Sequence, residues 1–103
     1  MKHYILFYEV VSDHAERRAP HRALHLRRAW EAQERGELVL AGALKDGPVG
    51  AALLFRGDSP RVAEAFAEAD PYVTEGLVTR WTVSEWVTVV GDQAASPVRP
   101  DSA

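Results

Sequence analysis

HYILFYEV, residues 3–10, decides the architecture of this chain. It is rich in aromatic and β-branched residues, and both of its alternating sides are apolar. Tyr4, Leu6 and Tyr8 point one way while Ile5 and Phe7 point the other, the pattern of a central strand with neither face left in water. Working outward, residues 11–19 are mostly polar and read as a connection. A helical pattern then runs from Pro20, a good first-turn residue, to Arg35, with Gly36 where a helix stop is expected. Glu37–Leu44 is a second strand, the turn-forming Lys45–Gly50 follows, and Ala51–Arg56 returns as its hairpin partner.

Ser59 offers an N-cap and Pro60 a first helical position, after which Val62, Ala65, Phe66 and Ala69 recur at helical spacing. Pro71 ends that helix by disfavouring the helical conformation at Asp70. Leu77–Val90 is the last strand. The expected fold is therefore α+β, ferredoxin-like βαββαβ: a four-stranded antiparallel sheet with two helices on one face. The uncovered face needs a partner, and the simplest is a second copy, closing a dimeric α+β barrel as a homodimer. Residues 1–90 form this domain, and residues 91–103, small, polar and proline-containing, are expected to be a loose tail.

Composition narrows the function classes. The 103 residues suit one domain, and 47% apolar with 26% charged residues is the balance of a globular protein. A net charge of −3 gives no overall field to hold phosphates or anionic lipid, so neither nucleic acid nor membrane is an expected partner. The basic cluster Arg17, Arg18, Arg22, Arg27 and Arg28 is interleaved with apolar positions and reads as a solvated helix face. With no cysteine, disulfides, thiolate zinc sites and a cysteine nucleophile all drop out. The start of the chain is too short in its apolar run and too strand-like for a signal peptide, which makes the cytoplasm the default location.

Two residues invite a chemical reading. At about 100° per residue, Ala19, Ala23, Leu26 and Trp30 define an apolar arc on the first helix, and His25 lies just past its edge, with Arg22 and Ala29 between. An imidazole on such a rim can exchange a proton near neutrality, and a carboxylate beside it would orient its ring. On pattern alone, however, a helix-edge histidine is more often a surface or satisfied structural residue, and an Asp before Pro, as Asp70 is before Pro71, is more often a cap or turn residue.

The order RALHLRRAW (22–30), Gly36, Ala41-Gly42, a glycine-containing hairpin, ADPYVTEGL (69–77) and a final strand with Trp86 resembles the YciI-like, or YCII-related, family from the first strand to about Val87. One departure is Ala43, where the family usually has proline. The resemblance implies a dimeric α+β barrel with an active site in which a His and an Asp sit together, here His25 and Asp70. General acid-base chemistry would follow, with Asp70 holding the imidazole. Arg22 is then expected to pair with an anionic group on a small-molecule substrate, and Tyr8, Trp30 and Gly42 to border it. The family includes dechlorinases of chlorinated hydroxyhydroquinones, so elimination or isomerisation of a small cyclic compound is the expected chemistry, a lyase or isomerase type without cofactor or metal. Two other classes stay open: a metal site on His21 and His25, four apart on one helix, completed by Asp70, and a noncatalytic ligand-binding or accessory dimer.

Overall fold

The computed structural model describes residues 1–47 and 49–102. Its elements are β1 (Lys2–Val10), α1 (His14–Arg17), a 3-10 turn (Ala19–His21), α2 (Arg22–Glu34), β2 (Leu38–Ala43), β3 (Ala51–Gly57), α3 (Arg61–Ala69), α4 (Pro71–Thr74), β4 (Val78–Trp86) and a last 3-10 turn (Pro100–Ser102). The strands run in the order β2-β3-β1-β4, antiparallel at every pairing, so β1 is central as its two apolar sides require. This is the ferredoxin-like α+β fold. No helix among the described residues is long and apolar enough to cross a membrane.

The core lies on one side of the sheet. Tyr4, Leu6 and Tyr8 of β1, Leu53 and Phe55 of β3 and Leu38 of β2 meet Ala29 and Ala32 of α2 and Ala63, Phe66 and Ala67 of α3. Burying each of the larger side chains contributes about 1.5–3 kcal/mol. The alanines let both helix backbones approach the sheet closely, and the Phe55 and Phe66 rings fill the space between at 5.4 Å. The hairpin is anchored to β1 where Gly50 N donates to Tyr8 O at 2.7 Å. A Cβ on Gly50 would lie 2.6 Å from Val10 Cγ2, so only glycine fits there. The turn expected over Lys45–Gly50 includes Pro48, which lies outside the described residues.

Four local expectations are corrected. The helix expected from Pro20 begins at Arg22, because the chain around Pro20 is wound into the tighter Ala19–His21 turn, and His14–Arg17 forms a short helix within the expected connection. The N-cap of α3 is Pro60 rather than Ser59, although Ser59 Oγ still accepts from Arg61 N at 3.3 Å. The apolar arc expected to face the core does not: Leu26 is 41% and Trp30 64% exposed, while Ala29 and Ala32 are buried. Close packing on the sheet selects small side chains, and the bulky ones turn aside. Finally β4 ends at Trp86, short of Val90. Thr88 leaves the strand to bond the buried His3, with Oγ1 2.7 Å from Nδ1. Ala95 N donates to the same hydroxyl at 2.8 Å, and Ser96 N and Val98 N donate to Thr88 O and Val89 O, so part of the tail folds back on the end of the strand. Ala103 of that tail lies outside the described residues.

Candidate active site

Asp70 stands at a corner that its own sequence dictates. Pro71 excludes the helical conformation at the residue before it, and Asp70 is extended at φ −71°, ψ 127°, ending α3. The chain re-enters a helical turn immediately, and Asp70 caps it, accepting Tyr72 N on Oδ1 at 3.1 Å. The side chain is fully buried. A buried carboxylate is costly unless its lone pairs are filled. Two further donors fill them: Tyr8 O–H reaches Oδ2 at 2.7 Å, and His25 Nδ1 lies 2.9 Å from Oδ1 and 3.0 Å from Oδ2. The cap and the imidazole partner are thus one carboxylate.

His25 is held on its face as well as its edge. Its ring stacks on Tyr72 at 3.9 Å with planes 8° apart, and Phe66 approaches edge-on at 6.3 Å. Only carboxylate oxygens face Nδ1, so Nδ1 carries the hydrogen and, in the neutral ring, Nε2 is the free base. The side chain is 15% exposed and borders a cleft of about 620 Å³ between α2, the α1 segment and the β2–β3 end of the sheet. No protein group among the described residues bonds Nε2.

Burial, reinforced by the neighbouring Asp70 charge, holds the Tyr8 phenol far above its ordinary range, so Tyr8 remains a proton donor to the carboxylate. Burial also raises Tyr72, against the opposing pull of Arg18 and Arg22. His14 packs edge-on against the other part of Tyr72 at 5.3 Å, and its Nε2 is buried without a hydrogen-bond partner. Burial, with Arg18 and His25 adding repulsion, pushes His14 below the usual histidine value.

Of the residues singled out from sequence, His25, Asp70 and Tyr8 are brought into one hydrogen-bonded group. Arg22 and Trp30 border the cleft. Gly42 does so from the edge strand, where a Cβ would meet nothing within 4 Å. His21 does not border the cleft, and among the described residues no three potential metal ligands gather. Sequence reasoning missed Tyr72, His14 and Arg18. Tyr72 stood in view inside Asp-Pro-Tyr, and His14, Arg18 and Arg22 recur at intervals of four. Arg18 and Arg22, expected on a solvated face, both border the cleft, while Arg28 lies over the Phe66 ring at 4.8 Å.

The YCII-related domain matches residues 1–87. Among solved structures, 5-chloro-2-hydroxyhydroquinone dehydrochlorinase from Burkholderia phenoliruptrix AC1100, in complex with 2,5-dihydroxybenzoquinone, superposes with a TM-score of 0.71 at 17% identity, over 89% of this chain and 98% of that one. A protein of Agrobacterium tumefaciens superposes with a TM-score of 0.53 at 16% identity, over 92% and 98%. At these identities the likeness speaks to the fold. Among curated proteins none matches the chain in sequence.

Proposed function

The chain belongs to the YCII-related domain family, and from that premise we propose that it is a small-molecule enzyme in which His25 and Asp70 perform general acid-base chemistry on a small cyclic compound. The observation that carries this reading is the directed histidine: Nδ1 is held by a buried carboxylate at 2.9 Å, while Nε2 bonds no protein group among the described residues and the ring borders an open cleft. Nε2 takes a proton from an acidic O–H or C–H of the substrate. The resulting imidazolium is stabilised by Asp70, whose own position is kept by Tyr8 and the Tyr72 amide. In an elimination the electron pair left on the substrate forms a new double bond as the leaving group departs with its bonding pair, so the net loss is one HX. In an isomerisation the imidazolium returns the proton at another atom. A positioned acid-base group of this kind supplies about 10²–10⁴-fold in rate.

The superposed dehydrochlorinase suggests the first compound to try. Chloride release from 5-chloro-2-hydroxyhydroquinone, followed with a chloride electrode beside ring absorbance, is expected for the wild-type chain and lost in His25→Ala, with partial recovery in free imidazole. A His25→Ala chain as active as wild type would overturn the assignment. A wild-type chain inert on halogenated and unhalogenated hydroxyquinols alike, yet still binding them, would make a noncatalytic ligand-binding dimer the better account.

The same proposal includes a homodimer. The outer face of the sheet carries Ile5 and Phe7 of β1 opposite Leu54 and Ala52 of β3, with Leu40 (72% exposed) and Trp86 (49% exposed) beside them. A second copy covers this uncharged centre with the same surface. Sedimentation equilibrium is expected to give twice the chain mass at micromolar concentration and a monomer for Phe7→Glu; a wild-type monomer would refute it.

A further inference from the structure

The charge inventory of the cleft is one-sided. The chain holds fifteen acidic residues against twelve basic ones, yet none of the acidic residues lines the cleft. Asp70, the nearest, is sealed behind Tyr8 and His25 with all its bonds spent inward. What does line the cleft at this end is Arg18, Arg22 and His14.

Of the other arginines, Arg27 and Arg99 also have no partner among the described residues but do not line the cleft, and the rest are occupied. Arg17 meets Asp13, Arg35 meets Glu37, Arg61 meets Glu64 and Glu68, and Arg80 meets Glu9. Arg56 and Arg28 donate to the carbonyls of Gly36 and Phe66. Arg18 and Arg22 make neither an ion pair nor a hydrogen bond among the described residues, and they flank the Ala19–His21 turn. Both lower the Tyr72 hydroxyl against its burial and line the cleft with it, so their charges bear on the residue whose ring stacks on His25. His14, with its buried and unpartnered Nε2, lies against that ring too. The remaining wall is apolar, with Leu26 and Trp30 on α2 and Leu38 and Leu53 on the sheet.

Resting on the reading of this cleft as the substrate site, we propose that Arg18 and Arg22 form a two-guanidinium clamp and that the ligand is a small cyclic carboxylate. Its carboxylate lies between the guanidiniums, and its ring lies against Leu26 and Trp30, within reach of His25 Nε2. The permanent charge is the point of the assignment. A guanidinium is a permanent cation, so the ligand group that pairs with it must carry a negative charge at working pH. A carboxylate does, whereas an unactivated phenol is neutral near pH 7. The planar fork of each guanidinium also suits the two oxygens of a carboxylate.

The test is a binding measurement that needs no turnover. Trp30 stands in the cleft, so its fluorescence reports occupancy, and Trp30→Phe identifies the signal as its own. Benzoate, 2,5-dihydroxybenzoate and cyclohexanecarboxylate are titrated against their carboxamides, with calorimetry in parallel. The carboxylates are expected to bind more tightly than the amides by about tenfold or more, and to weaken as ionic strength rises. Arg18→Met and Arg22→Met are each expected to weaken the carboxylates by about tenfold while leaving the amides unchanged. These variants keep the side-chain stem, and their unfolding midpoints check that the fold is intact. No carboxylate binding, equal binding of carboxylate and amide, or Arg18→Met binding as wild type would each overturn the proposal. Repeating the titration on His25→Ala separates this clamp from the acid-base reading: carboxylate binding there supports the clamp even if no reaction is ever found.

Discussion

Replacing Asp70 by asparagine should reverse the polarity of the site without emptying it. Asparagine has the same size, and its carbonyl can still accept Tyr72 N, the bond that is 3.1 Å in the wild type. Its amide nitrogen must then occupy the position of Oδ2, which now accepts Tyr8 O–H at 2.7 Å and faces His25 Nδ1 at 3.0 Å. An NH2 group there donates and opposes an Nδ1–H, which would keep only the 2.9 Å contact to Oδ1, so the expected ring accepts at Nδ1 and carries its hydrogen on Nε2. The base is thereby blocked while every heavy atom stays in place. Tyr8 loses its acceptor at the same time, and leaving a buried hydroxyl hydrogen unsatisfied costs about 1–3 kcal/mol. The expected result is a stability loss of that size in urea unfolding and a fall in turnover of about 10²–10⁴-fold. Long-range 15N–1H correlation of the imidazole reads the switch directly. The wild type should show hydrogen on Nδ1 and the variant hydrogen on Nε2. A wild-type neutral ring with hydrogen on Nε2 would refute the reasoning, whatever the activities turn out to be.

Other outcomes follow from the same geometry. Tyr8→Phe removes one donor from the buried carboxylate and should cost about 1–3 kcal/mol, measured by denaturant midpoint. Because the folded Tyr8 pKa lies above its unfolded value, its contribution is complete below about pH 10 and is lost as pH rises beyond it. Alkaline unfolding of the wild type should therefore be steeper than that of Tyr8→Phe. His14 has the opposite consequence. Its folded pKa is depressed, so the unfolded chain takes up its proton first, and stability falls as pH drops through about 6.5. His14→Gln should flatten that slope in thermal melts between pH 7 and pH 5. Gly50→Ala should destabilise by about 1–3 kcal/mol through its clash with Val10, and Val10→Ala in the same chain should recover part of the loss if that contact is the cause.

The central place of β1 could be read from sequence because a run apolar on both sides belongs in the interior of a sheet. The first helix was less legible, since its bulky and small apolar residues lie on different arcs. The small ones, Ala29 and Ala32, take the sheet, and the bulky ones, Leu26 and Trp30, serve the cleft. Periodicity weighs size as burial and so chose the wrong arc. Asp70 posed the converse problem. Its capping signature and its contact with His25 are both present, and a local pattern shows only the first, because His25 lies 45 residues away. The resemblance, by contrast, carried information on that distant pairing. His14 and Arg18 are harder to read because the polar stretch 11–19 looks like a connection, and their spacing of four from Arg22 gains meaning only with α1 in place.

Tyr72 touches both ends of the proton path, gripping Asp70 with its backbone amide and His25 with its ring. The interval between carboxylate and imidazole is therefore gauged by a single residue whose amide and ring are joined by two rotatable bonds. The tripeptide Asp70–Pro71–Tyr72 acts as a rigid jig: proline sets the bend, aspartate the charge, and tyrosine the spacing. Such a jig needs only a histidine presented by a facing helix to become a directed base. For protein design, that makes this corner a compact fragment to graft opposite a helix in an otherwise inert scaffold.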